Sequence, residues 1–418
     1  MEDDFMAHLL MIDSWVGGNG VILPRLLKEL GHTYTFVTRN RAHYHSDFRV
    51  EEHAVIKYAD TILEADTNDT DAVLAALPHK NYDGVITTCD YYIKTVSEVA
   101  ERLQLSCPFP KTVETVRHKQ KMRQALDRAG LPNAQYRLAY NWGEVVAAAK
   151  DLGYPLVLKP VDLASSAFVR LIRNEEDLQD AFKDLEAFPR NFRDQERDCT
   201  YLLEEYMVGN EVSVEAVSFA GETKIIGITQ KSLMGDPYFV ENGHMFQADL
   251  PEDIRAEVCK YVENALQAVG YNHGVSHTEV KLTEAGPRIV EINPRTAGGY
   301  IAEIIEMVCG VNILKAFVDL SINEKPAVEK IQTGITSACV MFLTPTHGGK
   351  ILRAEGTETL KNDPHIVMYE IEECKDRVVG PPIDNAGRLG HIITKDETGY
   401  RAMEYARDAL SRVRLVFE

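Results

Sequence analysis

Glu279, Glu291, Asn293 and Arg295 stand close together in the stretch His277 to Arg295 of a 418-residue chain, and their types point to one chemistry. Two carboxylates and an amide oxygen suit a hard divalent cation that keeps some of its waters and bridges phosphates, Mg²⁺ in the first place and Mn²⁺ as the alternative. The pattern around them places these groups on one surface. Apolar and β-branched residues alternate with polar ones on both sides of Glu284-Ala285-Gly286, which reads as two short strands joined by a tight turn. A three-residue loop with Gly286 at its left-handed position would pair Leu282 with Arg288, Val280 with Val290, Glu279 with Glu291 and His277 with Asn293. Carboxylates facing each other across a ladder are destabilising unless a cation compensates them. The other face, Thr278, Val280, Leu282, Val290 and Ile292, is expected to be core. Pro294 ends the second strand, so Arg295 and Thr296-Ala297-Gly298-Gly299 follow as a loop at the same end.

Cations that could face phosphates occur upstream. Tyr154 to Pro160 reads as an apolar strand closed by Lys159, whose ammonium needs a partner, and phosphate is a good one. A polar loop, Asp162 to Ala167, follows it. Lys119 lies in His118-Lys119-Gln120-Lys121-Met122-Arg123, on a helix expected from Val113 to Ala129 and closed by Gly130. A basic helix cluster by itself reads as a solvated face, and Lys121 is assigned to that role. Trp15-Val16-Gly17-Gly18-Asn19-Gly20 follows a strand but lacks the G-x-G-x-x-G spacing, so a tight strand-to-helix turn is preferred to a dinucleotide site. His347 and Arg388, both among glycines, read as turn residues, with a substrate contact from C-terminal loops that close the site as the alternative, and His277 and Arg288 as residues pairing locally beside the hairpin.

The elements that must position these residues fall in four segments. Ala7 to Ile12, a helix over Val21 to Leu30, Thr33 to Thr38, and Tyr82 to Thr88 followed by helix to Leu103 give an α/β domain over residues 1–110, ended by Cys107-Pro108-Phe109-Pro110. Residues 111–200 hold the linker helix, a helix capped by Asn141 with Glu144 and stopped by Gly153, the Lys159 strand and a helix over Glu175 to Ala187. Residues 201–330 hold Tyr201 to Glu205, a hairpin of Val212 to Phe219 with Thr223 to Thr229, an irregular polar stretch Gly235 to Gln247, a helix over Ile254 to Val269 and the carboxylate hairpin. Residues 331–418 add strands Ser337 to Leu343 and Ile366 to Glu370 and a helix over Tyr400 to Arg412. The fold class is thus α/β together with α+β.

The formal charge of −19 argues against a nucleic-acid partner and against an anionic membrane surface. Seven scattered cysteines without a Cys-x-x-Cys pair read as reduced thiols of a cytoplasmic protein. The N-terminus, Met1-Glu2-Asp3-Asp4, is acidic where a secretory leader would be basic, and no apolar run is long enough to cross a membrane. A homodimer is the default oligomer.

Lys119, Lys159 in Leu158-Lys159-Pro160, Leu203-Glu204-Glu205-Tyr206 with Glu211, and Glu279 with Glu291-x-Asn293-Pro294-Arg295 occur in an order and spacing that resembles the ATP-grasp ligases over residues 110 to 300. The resemblance implies an N-terminal Rossmann-like domain and ATP held between two α+β subdomains. It implies adenine against the backbone of Glu204, Glu205, Tyr206 and Met207, ribose on Glu211, phosphates on Lys119 and Lys159, and the metal on Glu279, Glu291 and Asn293. Arg295 would steady the transferred phosphoryl group, and His244, in Glu241-Asn242-Gly243-His244, resembles a substrate or phosphate contact of the L-amino acid ligase branch. The family's phosphate-covering loop is usually rich in glycine, whereas Leu163-Ala164-Ser165-Ser166-Ala167-Phe168 has none, so Ser165 and Ser166 would make the contact from a stiffer chain.

The activity this implies is formation of an amide between an amino acid, or an acyl-amino acid, and an amino acid. A carboxylate is a poor electrophile at neutral pH, and its conversion to an acyl phosphate makes attack by an amine feasible, releasing ADP and phosphate. A carboxylase-type or purine-biosynthesis enzyme acting on bicarbonate or formate is the alternative within the superfamily, and a non-catalytic ATP-binding regulator the alternative outside catalysis.

Overall fold

The computed structural model describes residues 6–45, 52–234, 237–371 and 375–418. The acidic start Met1 to Asp4, Gly235 and Cys374 lie outside the described residues. Among the described residues no helix is long and apolar enough to cross a membrane. Every described cysteine is unpaired: Cys89, Cys309 and Cys339 are buried, Cys107 and Cys259 half-buried and Cys199 exposed.

The N-terminal sheet has four parallel strands in the spatial order Thr61–Glu64, Thr33–Thr38, His8–Ile12, Gly84–Ile86. The central strands are continuous apolar runs because helices cover both faces. One cover comes from far along the chain: Ile304 and Ile305 of the helix Ile301–Cys309, and Phe317 of Ile313–Ser321, share a core with Leu9 and Val85. The contact is close enough to need a glycine, since a Cβ on Gly84 would stand 2.0 Å from the carbonyl oxygen of Ser321.

A second sheet orders Tyr136–Ala139, Tyr201–Glu205, Leu156–Pro160 and Arg170–Ile172, all antiparallel. Tyr201–Glu205 therefore pairs inside the sheet of the preceding segment. The helix Trp142–Leu152 begins with the anticipated capping box, Asn141 accepting from Glu144 N at 3.0 Å and Glu144 from Tyr140 N at 2.9 Å.

The helix expected from Val113 to Ala129 is two helices, Val113–Arg117 and Lys119–Arg128. His118 leaves the helical region at ψ 107°, Lys119 N then bonds Val161 O at 3.2 Å, and the His118 ring meets Asp198 at 2.9 Å. The backbone bond to Val161, just past the strand that carries Lys159, replaces a helical one and brings the two lysines together.

The third sheet has eight strands in the order Gly286–Asn293, Gly274–Thr283, Asn210–Phe219, Glu222–Leu233, Glu241–Phe246, Ser337–Phe342, Gly390–Asp396, Ile366–Ile371. Its first half carries the carboxylate hairpin and its last three strands come from the C-terminal segment, so one hydrogen-bonded surface runs through both. Glu241–Phe246 corrects the irregular reading of the stretch up to Gln247: its alternation is masked by Asn242 and Gly243, but Ser337–Phe342 on one side and Glu222–Leu233 on the other pair with it. The helix Glu252–Ala268 covers the first half of the sheet through Val258, Val262 and Leu266.

Candidate functional site

The hairpin pairs Glu279 with Glu291 and His277 with Asn293, as the sequence pattern implies. Nearer the turn the register differs. Val280 pairs with Ile289, Lys281 with Arg288 and Leu282 with Pro287, around a two-residue loop of Glu284 and Ala285, with Gly286 at φ 93°. The loop is one residue shorter than expected, and a bulge at Val290 restores the register. The bulge turns Ile289 into the core in place of Val290, which lies on the cavity side with Glu291.

Next to the bulge, Arg123, which is fully buried, donates to Ile289 O at 2.7 Å and Val290 O at 3.2 Å. Its Nε and Nη2 grip both oxygens of Glu204 at 2.6 and 3.0 Å, and Lys159 Nζ meets Glu204 Oε2 at 2.5 Å. Burial works against both ionisations. Arg123 and Lys159 nevertheless outweigh it and hold the Glu204 carboxyl below its usual range, while burial wins at Lys159 and lowers its ammonium pKa. The Glu204 side chain is thus sealed beneath the cavity, which leaves only its backbone for the contact with adenine that the resemblance implies. Its neighbours Glu205, Tyr206 and Met207 line the cavity instead.

The cavity lies between the second and third sheets and is walled by Lys119, Lys159, Glu211, Lys231, Glu279, Lys281 and Glu291. Lys119 Nζ meets Glu291 at 2.9 Å and Leu163 O at 3.0 Å. Lys231 Nζ lies at 2.9 Å from Glu211, 2.6 Å from Glu241 and 2.8 Å from Glu279. Burial opposes its charge, but the three carboxylates raise its pKa well above the ordinary value. Lys281 takes the second oxygen of Glu211 at 3.2 Å. With Arg123 and Glu204 beneath, the cations Lys119, Arg123, Lys159, Lys231 and Lys281 stand against the anions Glu204, Glu211, Glu241, Glu279 and Glu291, a neutral set. A triphosphate entering it would add uncompensated negative charge unless a divalent cation entered as well.

The donors present fit such an ion. Glu279 and Glu291 face each other across the ladder, and Asn293 Nδ2 donates to Glu291 Oε1 at 3.0 Å. Glu291 is held well below the usual carboxylate range, since Lys119 and Asn293 overcome its burial. Among the described residues no group of three His, Cys, Asp or Glu side chains is arranged to hold a metal. Two carboxylates and an amide side chain are a donor set that would suit Mg²⁺ if water and phosphate completed its shell.

At the hairpin's exit Arg295 is held by Asp90, which arrives from the N-terminal domain, and by Thr296 O at 3.0 Å. His244 is 1% exposed, 3.7 Å from Glu241, and its Nδ1 has no hydrogen-bond partner among the described residues. Burial lowers its pKa to about 3 despite Glu241, so the ring is neutral. Gly299 packs on it: a Cβ there would approach His244 Nε2 to 2.8 Å. His277 is buried between Glu215 at 2.9 Å and Glu279 at 3.3 Å, which makes it part of the hairpin's support.

The loop after Lys159 answers the missing glycines with strain. Ser165, Ser166 and Phe168 take φ values of 61°, 57° and 59°, the left-handed region that glycine would occupy without cost. Ser166 lines the cavity with Leu163 and Ala164, whereas Ser165 does not.

Three residues of the site had no signal in the sequence. Lys231 lies past the expected end of its strand at Thr229 and Glu241 in the stretch read as irregular, so neither was placed beside Glu279. Arg388, read as a turn residue, donates to Glu241 O at 2.8 Å and Glu241 Oε2 at 3.2 Å, with its guanidinium 3.8 Å from the Phe342 ring centre. Lys121 and Arg288 behave as anticipated, Lys121 paired with Glu114 on the surface and Arg288 bonded to Ala285 O and Pro287 O at the turn. His347 is exposed beside Thr346 and against the Phe417 ring.

Residues 152–303 match a family model described as ATP-grasp domain, and residues 341–418 match one described as L-amino acid ligase C-terminal domain 2. The uncharacterized protein y4rH of Sinorhizobium fredii (strain NBRC 101917 / NGR234) is 27% identical over 372 residues, which cover 85% of this chain and 76% of that protein. The alanine–anticapsin ligase of Bacillus subtilis (strain 168) is 26% identical over 254 residues, 57% of this chain and 53% of the ligase, so the match spans about half of that relative's length. The crystal structure of an L-amino acid ligase from Bacillus licheniformis shares the fold, with a TM-score of 0.79 at 21% identity over 99% of both chains.

Proposed function

We propose that this chain, whose residues 152–303 match an ATP-grasp domain and residues 341–418 an L-amino acid ligase C-terminal domain, is an ADP-forming carboxylate–amine ligase joining an amino acid or acyl-amino acid to an amino acid. The observation that carries this reading is the opposed pair Glu279 and Glu291 lining a cavity that Lys119 and Lys159 also line.

In this reading the backbone of Glu205, Tyr206 and Met207 takes the adenine and Glu211 the ribose. Lys119 and Lys159 hold the phosphates, exchanging their carboxylate partners for phosphate oxygens. Glu279, Glu291 and Asn293 would hold Mg²⁺, which when bound would supply neutralisation of phosphate charge. Arg295, immobilised by Asp90, lies against the group in transfer. His244, neutral and missing a partner at Nδ1, offers one hydrogen-bonding position to a substrate. Ser166 closes over the phosphates. The donor carboxylate becomes an acyl phosphate, the acceptor's amine attacks its carbonyl carbon, and phosphate departs as the amide forms. The free thiols support a reducing, cytoplasmic setting, and a homodimer belongs to the same proposal.

Phosphate release from Mg-ATP, measured against a matrix of amino acids and small carboxylic acids with mass spectrometry of the positive wells, tests it. A product mass equal to two substrates less water is the expected result. Turnover that requires bicarbonate or formate, or tight ATP binding with no ADP formed, would overturn it.

A further inference from the structure

Arg117 ends the helix Val113–Arg117, at the point where His118 breaks the path toward Lys119. It is half-buried, and among the described residues its guanidinium has no hydrogen-bond or ion-pair partner. It lines two cavities at once. One is small and holds Lys119, Glu291 and Asn293, the phosphate and metal end of the site. The other is a polar cleft of about 950 Å³ between the N-terminal domain and residues 190–196.

The other cations of that cleft are committed. Arg39 pairs with Asp66 and Asp194, Lys94 with Glu114, Arg102 with Asp71 and Arg190 with Glu196. On the inner side Lys119 is tied to Glu291. Arg117 is thus the described cation without a carboxylate at the junction of solvent and reaction centre, and Asp90, the carboxylate whose charge it feels, is already shared by Arg295 and Trp15. A planar guanidinium that is half-buried and makes no ion pair of its own matches a carboxylate arriving from solution, which it can take with two parallel hydrogen bonds.

Building on the ligase reading, we infer that Arg117 is a binding residue for the α-carboxylate of the amine-donating substrate, which enters through the polar cleft. The two substrates differ in what happens to their carboxylates. The acyl donor surrenders its own to phosphorylation, so a permanent cation on it would hinder the reaction. The acceptor keeps its carboxylate from entry to product and needs a lasting counter-charge. An amino acid held by that carboxylate at the mouth would direct its amine inward, toward the end of the site marked by Asn293 and Glu291.

The experiment compares the common amino acids with their α-carboxamides as acceptors, for wild type, Arg117→Gln and Arg117→Lys, with amide product quantified by mass spectrometry. For Arg117→Gln the KM of the free amino acid should rise roughly 10- to 100-fold, the range of a lost charge-assisted hydrogen bond. The KM of the carboxamide and that of ATP should stay within about 2-fold, and Arg117→Lys should recover part of the loss. Equal losses for amino acid and carboxamide, or a raised KM for ATP, would overturn the assignment while leaving the ligase reading intact. Absence of any amide from the wild-type protein would remove the ligase reading and this assignment together.

Discussion

Asp90 Oδ1 accepts a hydrogen bond from Arg295 Nε at 2.6 Å, tying the N-terminal domain to the exit of the carboxylate hairpin. The other oxygen of Asp90 accepts from Trp15 Nε1 at 3.0 Å, and Asn19 Nδ2 donates to Thr296 Oγ1 at 2.8 Å and Ala297 O at 2.9 Å. The glycine-containing loop after the first strand therefore acts as a splint for Arg295 and its loop. Asp90→Asn keeps the shape of the side chain but removes the charge that fixes the guanidinium. Steady-state kinetics should show kcat reduced about 10- to 100-fold with each KM changed less than about 3-fold, as for a group positioned mainly for the transition state. A KM-dominated loss would contradict the role.

Arg123 is the support beneath the cavity. Arg123→Met removes one partner of Glu204 and two donors to the bulge carbonyls while leaving a buried carboxylate behind. Breaking a buried pair in this way costs about 3–5 kcal/mol. Urea unfolding should show a loss of that order, and a loss below about 1 kcal/mol would mean that Arg123 is not structurally required.

His244 sets an acid limit. Its ring is neutral in the folded protein, with a pKa lowered by burial to about 3, and ionises near 6.5 in an unfolded chain. Its contribution to stability is complete above pH 6.5 and is lost as pH falls toward 3, by up to about 1.4 kcal/mol per pH unit. Between pH 6.5 and 5, above most carboxylate titrations, Tm should fall more steeply for wild type than for His244→Gln. Parallel curves would show that this ring does not govern acid sensitivity.

Glu279→Gln is the cleaner metal test of the two carboxylates, because Lys231 keeps Glu211 and Glu241 whereas Glu291→Gln would release Lys119. The Mg²⁺ concentration giving half-maximal ADP formation should rise at least about 10-fold, as when one metal ligand is lost. An unchanged Mg²⁺ dependence would place the ion elsewhere.

What was legible in the sequence was what depends on neighbours along the chain. The alternation flanking Gly286 fixed the hairpin and the opposition of Glu279 and Glu291, and Asn141 with Glu144 marked a helix start. Lys159 stood out by its position at the end of an apolar strand, whereas Lys119 was singled out only by the family resemblance; both line one cavity. The bulge at Val290 was not legible, because a shorter turn followed by an extra residue leaves the far pairs in the same register. Lys231, Glu241 and Arg388 were not legible either: Lys231 meets Glu241 only because the stretch read as irregular pairs as a strand, and Arg388 reaches them through pairings between strands nearly a hundred residues apart, such as Glu241–Phe246 with Ser337–Phe342. The break at His118 was hidden because its residues are compatible with one continuous helix, and it is tertiary hydrogen bonds that interrupt it.

The eight-stranded sheet bears on how the protein is made. During synthesis Glu241–Phe246 leaves the ribosome long before Ser337–Phe342, and in that interval its outer edge presents unpaired N–H and C=O groups. The N-terminal sheet waits in the same way for Ile313–Ser321 to cover it. Neither half can finish alone, so the nascent chain carries an open sheet edge until the strand Ser337–Phe342 has emerged, and a chaperone that shields such an edge would act on this protein late in its translation.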